Sequence, residues 1–123
     1  MKLLLDTHIF LWWNFGDPQL PQSMRAELAS SKHQIWVSAA SVWEIAIKRA
    51  SNKLSFTGSI SSSIATHHFL ELPIFIRHTE WAGGLPLLHS DPFDRLLVAQ
   101  AHLEGMVLAT VDAQILKYQV PHL

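Results

Sequence analysis

Asp91-Pro92-Phe93-Asp94-Arg95 sets two carboxylates on the first turn of an apolar helix. Asp6, Glu44 and Asp112 each sit in or beside a hydrophobic segment, where an ionised carboxylate is costly unless a cation or a hydrogen-bond donor meets it. These five are half of the chain's ten acidic residues. Carboxylates about 5 Å apart repel by roughly 3 kcal/mol at an effective dielectric of about 20. A bound Mg²⁺ or Mn²⁺ removes that conflict, since hard cations take oxygen ligands. A water acidified by such an ion is a nucleophile for in-line attack on a phosphodiester. Each acid also has a local structural role open to it. Asp91 and Asp112 suit helix caps, Asp94 a helix N-terminus, Glu44 an ion pair with Lys48, and Asp6 a turn with Thr7 or His8.

The elements that position these residues are legible in outline. Lys2 to Leu5 reads as a buried strand ending at Asp6, followed by a helix from Thr7 to Phe15 that Gly16-Asp17-Pro18 closes. Pro21 suits the first position of a helix reaching Ser31. Gln34 to Val37 is a second strand, and Ser38 caps a helix from Ala39 to Ala50 that carries Glu44. The pattern then predicts a helix over Ser59 to Leu70, a strand over Leu72 to Ile76 and one helical turn from Thr79 to Gly83. Asp91 caps the helix Pro92 to Glu104, with Gly105 just past its end. Met106 to Ala109 is a fourth strand, Asp112 starts a short helix, and Tyr118 to Val120 is expected as a fifth, edge strand. Short apolar strands alternating with helices imply an α/β fold, a parallel sheet covered on both faces. Asp6 and Asp112 then follow strands on one sheet edge, where ligands bind in such folds, and the helices of Glu44 and Asp94 begin on that edge.

Composition narrows the class. A chain of 123 residues with 49% apolar content suits one domain with one core. Without Cys there are no disulfides or thiolate metal sites, so oxygen and imidazole are the available ligands. No apolar run of about 18 residues is present, which argues against a membrane span and for a cytoplasmic protein. A net charge of −1 gives no global attraction to polyanions, so any polyanion partner depends on local cations or a bound metal.

The runs Leu5-Asp6-Thr7-His8, Ser38-Ala39-Ala40-Ser41-Val42-Trp43-Glu44-Ile45-Ala46-Ile47-Lys48, His89 through Ala101, and Ala109-Thr110-Val111-Asp112 together resemble the PIN-domain family, and within it the VapC-type ribonuclease toxins of bacterial toxin-antitoxin pairs. The resemblance spans essentially the whole chain, in order. It implies a PIN fold and a Mg²⁺- or Mn²⁺-dependent endoribonuclease whose acids are Asp6, Glu44, Asp94 and Asp112, with Asp91 as an additional acid. Thr7, Ser38 and Thr110 fall where supporting hydroxyls are expected. The chain departs from the family pattern at Asn52-Lys53-Leu54, where Gly-Lys-Leu is frequent, and at Ser90, where a basic residue is frequent.

The same resemblance implies an RNA substrate, a homodimer and a VapB-type antitoxin that lays an apolar helix into a groove. Lys48, Arg49, Lys53 and Arg95, on or near the acid-bearing helices, are the expected phosphate contacts. Of the five Trp, the pair Trp12-Trp13 is expected partly exposed. Two other readings compete: a non-catalytic PIN module that docks RNA or a protein, and a structure-specific DNA nuclease. Retention of all four acids opposes the first. The second lacks the long DNA-gripping insertions it requires.

Overall fold

The computed structural model describes residues 1–123. Its four strands are β1 (Lys2–Leu5), β2 (Gln34–Ser38), β3 (Leu70–Leu72) and β4 (Val107–Ala109). They form one sheet in the order β3-β2-β1-β4, with every pairing parallel. Six helices connect and cover them: α1 (Thr7–Phe15), α2 (Gln22–Ala29), α3 (Ala39–Ala50), α4 (Ile60–Thr66), α5 (Ile76–Gly83) and α6 (Pro92–Glu104). A 3₁₀ turn at Ile115–Lys117 precedes the C-terminal segment.

Side chains of a strand alternate between faces, and β1 divides the core accordingly. Leu3 and Leu5 join Ile9 and Phe10 of α1, Met24 and Leu28 of α2, and Ile45 of α3 on one face. Leu4 joins Leu97, Val98 and Ala101 of α6, with Ile115 and Tyr118, on the other. This two-sided burial is why β1 reads as an unbroken apolar run.

The strongest helix signals act as expected. The Ser38 hydroxyl accepts the Ala40 N–H at 3.0 Å and begins α3. Asp91 Oδ1 accepts the N–H groups of Phe93 and Asp94, Pro92 takes the first position, and Gly105 ends α6 at φ 64°.

Five expectations are corrected. Pro21 precedes α2 rather than opening it, and the helix stops at Ala29. Helix α4 stops at Thr66 because His68 turns left-handed at φ 59° and the Phe69 N–H bonds back to the Ile64 carbonyl, which frees Leu70 to enter the sheet. The strand expected over Leu72 to Ile76 is therefore β3, two residues earlier. Phe75 and Ile76 lie exposed, and Ile76 begins a two-turn α5 in place of the single turn. Tyr118 to Val120 is not a strand, and a single parallel bridge joins Leu108 to His122 instead. The Tyr118 hydroxyl is held by the Pro86 carbonyl, and Pro121 has no N–H to extend a ladder.

Candidate metal centre

Chain direction through the sheet reverses its progress at β1, with β2 and β3 on one side and β4 on the other. The carboxyl ends of β1 and β4 therefore flank the topological switch point, where open α/β sheets leave a crevice for ligands. Leu5 pairs with Ala109, and the Asp6 N–H extends the ladder to the Ala109 carbonyl at 3.0 Å. Asp6 thus projects from one strand end beside Thr110 from the other. The Thr110 hydroxyl donates to Asp6 Oδ2 at 2.8 Å and accepts the Asp112 N–H at 3.0 Å.

Asp6, Glu44 and Asp94 are all buried. Burial pushes the Asp94 carboxyl up to about 6; the charges of Asp91, Asp6 and Glu44 add to that, while the hydrogen bond with His89 opposes it. Burial likewise raises Asp6, opposed by the Thr110 hydroxyl and by His8, and raised further by Asp112. These mutual effects tie four expected acids and Asp91 into one electrostatic unit. Lys48 is the cation inside it. Its ammonium donates to Glu44 Oε2 at 2.8 Å, and its pKa is raised first by that bond and also by the charges of Asp91 and Asp94.

The ion pair does not satisfy Glu44. Its Oε1 is buried with no hydrogen-bond partner. An orphaned carboxylate oxygen in such a place costs about 1–3 kcal/mol or more unless something positive meets it. Three further donors, one each from His89, Asp94 and Asp112, lie within 4.8 Å of one another. This oxygen-rich donor set with one imidazole fits a hard divalent cation.

His89 is the site residue that sequence reasoning missed. It lies in the loop before α6, and its Nε2 meets Asp94 Oδ2 at 2.7 Å. The available signal was its place two residues before the cap of the acid-bearing helix.

Other expected residues are distributed differently. Asp91 spends Oδ1 on capping α6, so it has one oxygen left for the cluster. Asp112 Oδ1 accepts the Gln114 N–H at 2.8 Å and starts a turn rather than a full helix. The Thr7 hydroxyl donates to Ser41 at 2.8 Å and so braces α1 against α3, with no bond to an acid. Ser38, expected to support the site, donates instead to buried Gln100, whose Nε2 reaches the Pro73 carbonyl and His78.

The four expected phosphate contacts also separate. Lys48 and Lys53 line a cleft beside the cluster. Arg49 is tied to the Gly58 carbonyl at 2.9 Å. Arg95 is engaged within the chain, its guanidinium donating to the carbonyls of Ala82, Leu85, Pro86 and His89 and to the Tyr118 hydroxyl. A planar fork suits convergent carbonyls, and this one pins the loop that carries His89. Trp12 and Trp13 are half-buried as expected, yet Trp43 is the most exposed Trp, at 62%, with its ring edge-on to Phe93 of α6.

Solved structures share this architecture. A chain in the crystal structure of VapBC2 from Rickettsia felis bound to a DNA fragment from their promoter superposes with a TM-score of 0.67 at 17% identity, covering 100% of this chain and 98% of that one. A chain of VapBC-1 from nontypeable Haemophilus influenzae gives 0.62, also at 17%, covering 100% and 97%. At that identity the likeness concerns the fold. No curated protein matches the sequence. The PIN-domain family model matches residues 3–120, a span that takes in both strand ends and every acid of the cluster, and the chain belongs to the PIN-domain family.

Proposed function

We propose that this chain is an endoribonuclease dependent on Mg²⁺ or Mn²⁺, the toxin of a VapC-type toxin-antitoxin pair. The observation that carries the reading is the buried, unpartnered Glu44 Oε1 within a cluster of mutually repelling acids. Asp6, Glu44, Asp94 and Asp112 would hold the ion, with Asp91 as a further donor, and a bound ion supplies Lewis-acid polarisation of a phosphoryl oxygen. The protein's own part is preorganisation. Thr110 fixes the Asp6 carboxylate, His89 orients Asp94, and Lys48 holds one oxygen of Glu44 and leaves the other without a partner. A carboxylate left free of the ion would accept a proton from the attacking water.

The PIN family and the VapBC likeness support the toxin assignment. A VapB-type antitoxin and a second copy of the chain are proposed as partners. In support of the antitoxin, an apolar groove of about 550 Å³ runs along α3, lined by Val42, Trp43, Ala46, Ile64 and Leu72, a surface suited to an amphipathic helix. No helix is long and apolar enough to cross a membrane, and a cytoplasmic location is proposed with the RNA substrate.

Titration of Mn²⁺ into the metal-free protein tests the reading. Saturable binding that Asp94→Asn weakens at least tenfold, with cleavage of single-stranded RNA following the same occupancy, supports it. RNA cleavage independent of Mn²⁺ and unaffected by Asp94→Asn contradicts it.

A further inference from the structure

A cleft of about 240 Å³ opens beside the acid cluster, between α1 and the end of α3. Thr7 and Lys48 line it, one following Asp6 in the chain and the other bonded to Glu44. His8, Trp12 and Lys53 line it as well. The cleft is smaller than the pockets that enclose drug-sized ligands and matches one planar ring system.

Its chemistry is that of a single-stranded nucleic-acid platform. Trp12 is half-buried, packed against the core while lining the cleft. The exposed His8 ring lies 6.0 Å from it at 46°, so the two rings are not stacked on each other. Lys53 is exposed, has no ion-pair partner, and its backbone is held by the N–H bond to the Lys48 carbonyl and the left-handed Asn52. The one acid lining the cleft, Asp17, is occupied by the backbone and side chain of Gln19. Unpaired bases stack on aromatic rings, and a neighbouring cation takes the phosphate.

We infer that this cleft holds one nucleobase flanking the scissile phosphodiester, stacked on Trp12, with Lys53 on the adjoining phosphate. The inference deepens the ribonuclease reading and rests on it. It makes the enzyme select single-stranded RNA, because a paired base cannot enter the cleft.

The test combines kinetics with binding on single-stranded RNA, for the wild type, Trp12→Ala, Trp12→Phe and Lys53→Gln. Base stacking of about 1–3 kcal/mol corresponds to a rise in KM of roughly 5- to 150-fold in Trp12→Ala, with kcat within a few-fold, and Trp12→Phe restores most of it. Lys53→Gln lowers the salt dependence of binding by about 0.7 in log-log slope. RNA carrying a single abasic nucleotide, moved one position at a time, weakens wild-type KM at one position and leaves Trp12→Ala indifferent there. A merely structural Trp12 gives no such position.

Unchanged KM in Trp12→Ala, or an abasic penalty equal in both proteins, overturns the cleft assignment while metal-dependent cleavage by the wild type still stands. Should Trp12→Ala fail to fold, a wild-type KM that no abasic position raises, together with an unchanged salt slope in Lys53→Gln, overturns it as well. Fluorescence anisotropy separates the two readings. If no RNA is cleaved, but RNA binds and Trp12→Ala or Lys53→Gln weakens that binding, the nuclease reading fails and the cleft stands.

Discussion

The Thr110 hydroxyl donates to the buried Asp6 carboxylate at 2.8 Å, joining the ends of two adjacent strands from residues 104 positions apart. That bond opposes the upward push of burial on Asp6 and keeps the carboxylate ready for a cation. Thr110→Val is expected to weaken Mn²⁺ binding about 10- to 100-fold, the usual effect of losing a group that orients a ligand, while Thr110→Ser retains it. Calorimetric titration of the two variants checks this, and equal affinities would remove Thr110 from the site's support.

Asp94 links the site to pH. Its carboxyl is pushed from 3.8 to about 6, chiefly by burial. Between those values the folded chain binds more protons than the unfolded chain, so stability falls as pH rises through this window. The side chain is 12% exposed, and the shift is worth up to about 3 kcal/mol. Raised Asp6 acts in the same direction. The metal-free protein is therefore expected to melt lower at pH 7.5 than at pH 5, and Mn²⁺ to raise Tm much more at pH 7.5. Thermal melts with EDTA and with Mn²⁺ at both pH values measure it. An equal Mn²⁺ effect at the two values would count against the cluster as the binding site.

How much of this was legible in sequence depends on where each signal lies. Helices α3 and α6 were readable to the residue because Ser38 and Asp91 cap them through their own side chains. Asp6 and Asp112 were readable because apolar strand runs stop beside them. β3 was misplaced because Leu72-Pro73-Ile74-Phe75-Ile76 carries the composition of a buried strand, whereas the left-handed turn at His68 is a backbone event that His does not announce. The roles of Arg95 and His89 depend on the fold of the loop before α6, which has no periodicity to read.

Arg95 gives the clearest separation of structure from substrate contact. Arg95→Lys keeps the charge but loses the fork that reaches four carbonyls and the Tyr118 hydroxyl. A loss of about 2 kcal/mol in stability is expected from acceptors left unmet, with no change in the salt dependence of RNA binding. Urea unfolding of Arg95→Lys measures the first effect, and salt-titrated binding by Arg95→Gln, which removes the charge, measures the second. A changed salt slope with unchanged stability would return Arg95 to the phosphate contacts.

Gln100 tests the buried network under α6. It accepts a hydrogen bond from the Ser38 hydroxyl and donates to the Pro73 carbonyl, joining the end of β2, α6 and the segment after β3. Gln100→Leu leaves both partners unmet, for an expected cost of about 2–4 kcal/mol. Gln100→Leu combined with Ser38→Ala is expected to cost less than the sum of the two single changes. Denaturant midpoints of the three variants check it, and strict additivity would show that the pair is not coupled.

Cleavage of a total cellular RNA pool by the purified protein tests the central claim most directly, with Mg²⁺ or Mn²⁺ against EDTA and the Asp6→Asn protein alongside. Discrete fragments that require both the ion and Asp6 are the expected result. The same fragments in EDTA, or from folded Asp6→Asn, would contradict the assignment of the carboxylate cluster as a metal-dependent ribonuclease centre.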